Sequence, residues 1–317
     1  MKAATPFVVV AVLALVVRLG HLLEVQADPP LAVADEAAYL EDARFLAEVS
    51  WSGRPAAGSR SVLYAYPLAF LSSFTSSRWA PHLLQSAAGL VACLLVWSLG
   101  CRLLPAGAAL AAALAACLYG PLIYFEGRLV PVTFAVLLHL VLIWALQRTP
   151  SEPPGRALLP GLVAGLAAAT SAASLLFLPV VVWWLWRYPA SPATTGWRPR
   201  AFWFVVGCLI VLAPLRAWEL RVGGEGGEGG EGGATEMAAA VVSAEPGDPT
   251  GGGFDGDRAT DPAAWLGELY SFWRGEELPR HLDPYWSRST SSLLATLLWQ
   301  RGLAFPFGLI APLALAG

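Results

Sequence analysis

Asp35 and Glu36 stand side by side just after the first apolar run, in A-D-E-A-A-Y-L. Adjacent carboxylates at a bilayer surface can act as a general base, as metal ligands, or as both. From Asp35, helical spacing puts Tyr39, Asp42 and Leu46 near one face, with Ala38 and Phe45 beside it. Asp35 would open that helix, where the helix dipole favours an ionised carboxylate. The same position also suits a plain N-cap aspartate with ordinary acid enrichment in the first turn. Two further sites carry ionisable groups at apolar boundaries. Y-G-P-L-I-Y-F-E-G-R ends a later apolar run and holds Glu126 and Arg128. Ionisable groups at such a depth are functional candidates, or they snorkel to headgroups or pair with each other. Arg216 follows Pro214-Leu215, where its fork of donors suits either a substrate phosphate or a lipid phosphate.

These residues need a membrane scaffold to meet. The chain of 317 residues is 56% hydrophobic and 14% charged, well below the roughly 25% charged residues of a soluble domain. The expected fold is all-α, a polytopic membrane helix bundle with juxtamembrane helices in the first outer loop. Apolar runs place spans at Pro6–Leu23, Ala80–Leu99, Ala106–Phe125, Leu129–Leu146, Leu158–Trp186 (two spans, broken near Ser171–Ser174) and Ala201–Leu215, with another starting near Gly302. Tyr64–Phe74 is too short to cross easily and is expected in the interface. The N-terminal run reads as an uncleaved signal anchor.

Three regions follow. Residues 1–215 form the membrane core, with the first outer loop at 24–79; residues 216–301 form an outer loop with a Gly/Glu-rich part at 222–257; residues 302–317 begin a further span, expected to be cut short. The G-G-E repeat has no apolar residue to bury and is expected to be disordered. Asp261–Trp286 regains aromatic residues suited to the membrane surface. With the N-terminus inside, Arg102, Arg148, Arg156, Arg187, Arg198 and Arg200 fall in inner loops, and of the 23 acidic residues only Glu152 joins them.

Composition also excludes some classes. No basic cluster suggests nucleic acid. Cys93, Cys101, Cys117 and Cys208 all lie in apolar runs, with no metal spacing. A transporter would place charges near the bilayer midplane, whereas here mid-span positions are almost charge-free apart from Arg18 near the end of the first span.

The order of these sites resembles that in C-type glycosyltransferases that use polyprenyl-phosphate sugars, in the family 39 branch of protein O-mannosyltransferases and aminoarabinose transferases. The likeness is carried by D-E-A-A-Y-L-E-D-A-R-F-L-A, V-L-Y-A-Y-P-L-A-F-L, H-L-L-Q-S-A-A-G-L-V-A-C-L-L-V, L-Y-G-P-L-I-Y-F-E-G-R-L-V, F-W-R-G-E-E-L-P-R-H-L-D-P-Y-W and F-P-F-G-L-I-A-P-L-A-L-A-G. It implies an inverting transferase in a bacterial inner membrane, with Asp35 as base, Glu36 as its neighbouring acid, and substrate contacts from Tyr39, Tyr66, Glu126, Arg128 and Arg216. It implies a polyprenyl-phosphate-linked sugar as donor and a glycan, lipid or protein as acceptor. It requires no cofactor, though Asp35 and Glu36 leave room for a divalent metal. The chain departs from the pattern in four places. Arg216-Ala217 stands where relatives often have Arg-Asn, the G-G-E repeat replaces an aromatic loop, Ser171 stands at a frequent arginine, and Arg128 at a frequent acid. Two alternatives remain: an inactive relative on the same scaffold, or an unrelated transporter or structural protein.

Overall fold

The computed structural model describes residues 4–27, 34–51, 61–148, 153–187, 198–224 and 291–298. All regular structure among them is helical: α1 (Ala4–Ala27), α2 (Ala34–Glu48), α3 (Val62–Phe74), α4 (Trp79–Leu103), α5 (Ala106–Cys117), α6 (Gly120–Glu126), α7 (Val132–Leu146), α8 (Leu158–Thr170), α9 (Phe177–Arg187), α10 (Arg198–Gly224) and α11 (Ser292–Thr296), with 3₁₀ turns at Pro154–Ala157 and Ala172–Leu176. The chain divides into two units, one of Met1–Leu118 with Leu122–Glu231 and one of Tyr119–Pro121 with Gly232–Gly317. In the smaller unit the Gly120 amide donates to the Leu298 carbonyl at 2.8 Å, and Ser291 Oγ caps α11 by accepting from the Leu294 amide at 3.0 Å.

Among the described residues three helices are long and apolar enough to cross a membrane: Thr5–Ala27, Trp79–Leu103 and Arg200–Trp218. They match the first, second and seventh expected spans. The expected span Ala106–Phe125 is two helices instead, because Pro121 lacks an amide hydrogen and its ring would clash with the carbonyl four residues back. That residue is Cys117, the last of α5. The expected span Leu129–Leu146 gives the 15-residue α7, shorter than the ~20 residues a crossing needs. Leu158–Trp186 breaks where expected, with Ser171 extended between α8 and the second 3₁₀ turn. The seventh expected span is α10, which runs past the expected end at Leu215 to Gly224 and carries Pro214 inside it. Ala217, Glu219 and Leu220 are good helix formers that let it continue beyond the proline. The expected span from Gly302, the Asp261–Trp286 segment and nearly all of the 222–257 stretch lie outside the described residues.

Among its described residues the larger unit has three apolar cores. Val10 and Ala14 of α1 pack with Cys93 of α4 and with Ala113 and Cys117 of α5. Tyr39, Ala43 and Leu46 of α2 pack on Tyr64, Ala65, Leu68 and Ala69 of α3. Leu142, Val163, Ala164, Val181, Leu185, Phe204 and Cys208 join α7, α8, α9 and α10. Small residues set the closest approach. A Cβ added at Gly161 would overlap the Phe204 carbonyl, and one at Gly207 would overlap the Leu158 carbonyl. Because Gly165 meets Cys208 and Val211 one turn further on, α8 and α10 run in parallel.

These contacts define two ends of the unit. At one end the last turn of α1 meets the first turn of α4, Gln26 beside His82 at 3.5 Å, and Ser61 before α3 reaches the Ala169 carbonyl near the end of α8 at 3.4 Å. At the other end Arg102 of α4 lies over the Trp144 ring of α7, next to the start of α8.

Candidate functional site

The candidate residues gather where α2, α3, α4 and the turn after α6 converge. On α2 the buried positions are Glu36, Tyr39, Asp42, Ala43 and Leu46, while Ala37, Glu41, Arg44 and Glu48 are exposed. The spacing of three and four is that of a helix lying flat with one face covered. The inward face holds Tyr39, Asp42 and Leu46 as expected, with Glu36 at its head. Asp35 lies in the first turn of α2, and its side chain falls outside the described residues.

Glu36 meets the turn that follows α6. Its Oε1 accepts from the Leu129 amide at 3.3 Å, and its Oε2 faces the Arg128 guanidinium at 3.6 Å. The same guanidinium lies 5.5 Å from the centre of the Tyr124 ring. Gln85 of α4 ties this turn to α3, donating to the Arg128 carbonyl at 2.6 Å and to the Tyr64 hydroxyl at 2.8 Å. Tyr64 packs edge-on against Tyr39 at 5.0 Å. Burial, then the Glu36 carboxylate, then Tyr39 push the Tyr64 phenol well above its ordinary pKa, so it stays neutral. Glu36, Arg128, Gln85, Tyr64 and Tyr39 thus close a ring of contacts across four segments far apart in sequence.

Glu126 takes a different partner. Arg18 of α1 donates to its Oε1 at 2.7 Å, with both side chains almost wholly buried. A Cβ at Gly89 would overlap that carboxylate, so the glycine leaves the space Glu126 fills. Gly127 likewise makes room for His21, whose ring is buried and makes no hydrogen bond among the described residues. The structure therefore answers the two plain readings of Glu126 and Arg128: they neither pair with each other nor reach to the surface. It also gives Arg18, the charge near the end of the first expected span, a buried partner. Gln85, Tyr64 and Arg18 were not among the expected site residues. An arginine inside an apolar span was the one available signal, since such a charge demands a partner.

Two expected contacts lie elsewhere. The Tyr66 hydroxyl donates to the Trp51 carbonyl at 3.1 Å, at the edge of α3 and apart from the ring. Arg216 is half-buried on α10. Since α10 runs parallel to α8, which ends beside Ser61, Arg216 sits toward the same end of the unit as α2 and α3. No described contact joins it to Glu36, Glu126 or Arg128. Among the described residues no group of three or more His, Cys, Asp or Glu side chains is arranged to hold a metal.

The described residues define a helical protein with three helices fit to cross a bilayer and, in the larger unit, a buried, ion-paired polar cluster toward one end. No family model matches the chain, and no curated protein or solved structure matches it either.

Proposed function

We propose that the chain is an inverting glycosyltransferase that moves a sugar from a polyprenyl-phosphate carrier to an acceptor on the extracytoplasmic face of a bacterial inner membrane. The observation that carries this reading is Glu36 fixed by Arg128 and the Leu129 amide. That pairing anchors the first turn of α2, and with it Asp35, against the end of the bundle. Glu36 is then a positioning residue, and Asp35 is the carboxylate left to act as base. It takes the proton of the acceptor hydroxyl as that oxygen attacks the anomeric carbon; the bond from that carbon to the phosphate oxygen breaks, and polyprenyl phosphate leaves. Arg128 is buried against Glu36 and Tyr124, so the cation that meets the departing phosphate is Arg216. The donor's lipid carrier fits a chain with membrane-crossing helices and no nucleotide-binding glycine loop. The acceptor class is a glycan, lipid or protein, and a divalent metal would add to Asp35 rather than replace it.

A set of polyprenyl-phosphate sugars given to the purified protein should yield free polyprenyl phosphate. Asp35→Asn should cut that release by about 10²- to 10⁴-fold, the usual worth of a general base. Unchanged release in the variant would remove Asp35 from the reaction. A second reading, an inactive relative on this scaffold, is favoured by Ala217 after Arg216 and by the G-G-E repeat. Absence of release with every donor from a folded, lipid-reconstituted protein would select it.

A further inference from the structure

The opposite end of the larger unit carries a second, basic feature that the proposed transferase reaction does not use. Trp144, near the end of α7, has the Arg148 guanidinium 3.7 Å from its ring centre and the Arg102 guanidinium 5.8 Å away. Next to it opens a cleft of about 390 Å³, lined by Trp144, Arg148, Arg156, Leu158, Leu159 and Leu162. Arg102, Arg148 and Arg156 are all exposed. Arg102 and Arg148 pair with no carboxylate among the described residues, and those that line the cleft include no acidic side chain. Leu159 and Leu166 are exposed two turns apart on α8, with Leu162 between them, so an apolar stripe leaves the cleft along the helix.

We propose that this cleft seats an anionic phospholipid. Its phosphate lies between Arg148 and Arg156, its glycerol stands against Trp144, and one acyl chain follows Leu159, Leu162 and Leu166. Guanidinium forks match phosphate oxygens in pairs. Tryptophan favours the headgroup layer. The leucine stripe selects a lipid over free phosphate, which would have no use for it. Arg102 adds a third positive charge above the same ring.

The test uses the purified full-length protein in neutral detergent micelles, titrated with fluorescent phosphatidylglycerol or phosphatidylcholine and read by anisotropy. Phosphatidylglycerol should bind saturably and more tightly than phosphatidylcholine. Arg148→Gln/Arg156→Gln should weaken it about 30-fold, two charges at about 1 kcal/mol each. Arg44→Gln, an exposed arginine on α2, should leave binding unchanged. Leu159→Gln/Leu166→Gln should weaken binding while keeping the headgroup preference. Equal affinity for both lipids, or an unchanged arginine double variant, would overturn the site. Displacement by millimolar inorganic phosphate would overturn the lipid assignment in favour of a free anion. Should the glutamine pair not fold, Arg148→Lys/Arg156→Lys carries the test. It keeps the charge but not the fork, and full affinity there would overturn guanidinium recognition.

Discussion

At the scale of single residues, the Arg18–Glu126 pair is the most consequential contact. Two charges taken out of water are costly, and their attraction repays that only while both are present. Arg18→Met leaves Glu126 buried beside Gly89 with no cation, and should destabilise the protein by about 3–5 kcal/mol. Arg18→Met/Glu126→Leu removes both charges and should recover most of that loss, so its melting temperature in detergent should lie well above either single variant's. Additive losses would mean that the two side chains act separately. Gly89→Ala tests the same pair from the other side, because the methyl must displace the Glu126 carboxylate. It should destabilise far more than Gly107→Ala on α5, where an added Cβ meets nothing within 4 Å. In the neighbouring ring, Tyr64→Phe removes the acceptor for Gln85 and should cost about 1 kcal/mol. None of these pairings can be read from sequence, because Arg18 and Glu126 are 108 residues apart and only the tertiary register of α1, α4 and α6 sets their contact. What sequence does show is the residue types. Arg18, Glu126 and Arg128 are conspicuous because their immediate neighbours are apolar or small, and Glu36 because it doubles Asp35 beside an apolar run.

At the scale of elements, long apolar runs without an internal breaker are legible, and α1 and α4 follow them, while α10 continues through Pro214 near the end of its run. The run Ala106–Phe125 misleads because hydropathy sums side chains and ignores the backbone: Pro121 is apolar but cannot donate to Cys117. The break at Ser171 is legible for the opposite reason, since a cluster of small hydroxyl residues interrupts the run. The covered face of α2 follows from the spacing of Tyr39, Asp42 and Leu46, yet that spacing fits either Asp35 or Glu36 at the head of the inner face. The packing of α8 on α10 decides whether Arg216 keeps its level toward the end of the unit that holds α2. Gly207→Leu would drive a side chain into the Leu158 carbonyl and should destabilise by about 1–3 kcal/mol, the usual cost of overpacking. If the proposed role of Arg216 is right, the same variant should also slow polyprenyl phosphate release, and Gly107→Leu should do neither. Lost stability with full activity would detach Arg216 from the reaction.

At the scale of the whole molecule, the described acidic residues lie toward one end of the larger unit, mixed there with Arg18, Arg128 and Arg216, while the other end carries, among the described residues, arginines alone. Arg102, Arg148, Arg156 and Arg200 stand at one end, while Glu24, Glu36, Asp42 and Glu126 lie toward the other. Short basic segments are retained on the cytoplasmic side of a membrane. The basic end should therefore face the cytoplasm and the Glu36–Arg128 cluster the outside. The cysteines offer a direct check. Cys93, Cys117 and Cys208 are buried, while Cys101 is exposed in the last turn of α4, beside Arg102. In intact cells a membrane-impermeant maleimide should leave Cys101 unlabelled and should label it once the inner face is opened. Ser76→Cys, placed in the exposed turn between α3 and α4 at the other end, should react from outside in a Cys101→Ser background. The reverse pattern would put Asp35 on the cytoplasmic side. There polyprenyl-phosphate sugars could still be met, but the outward-facing transfer proposed above would have no site. Because labelling reports only which side each end occupies, it decides orientation even for a chain that proves inactive.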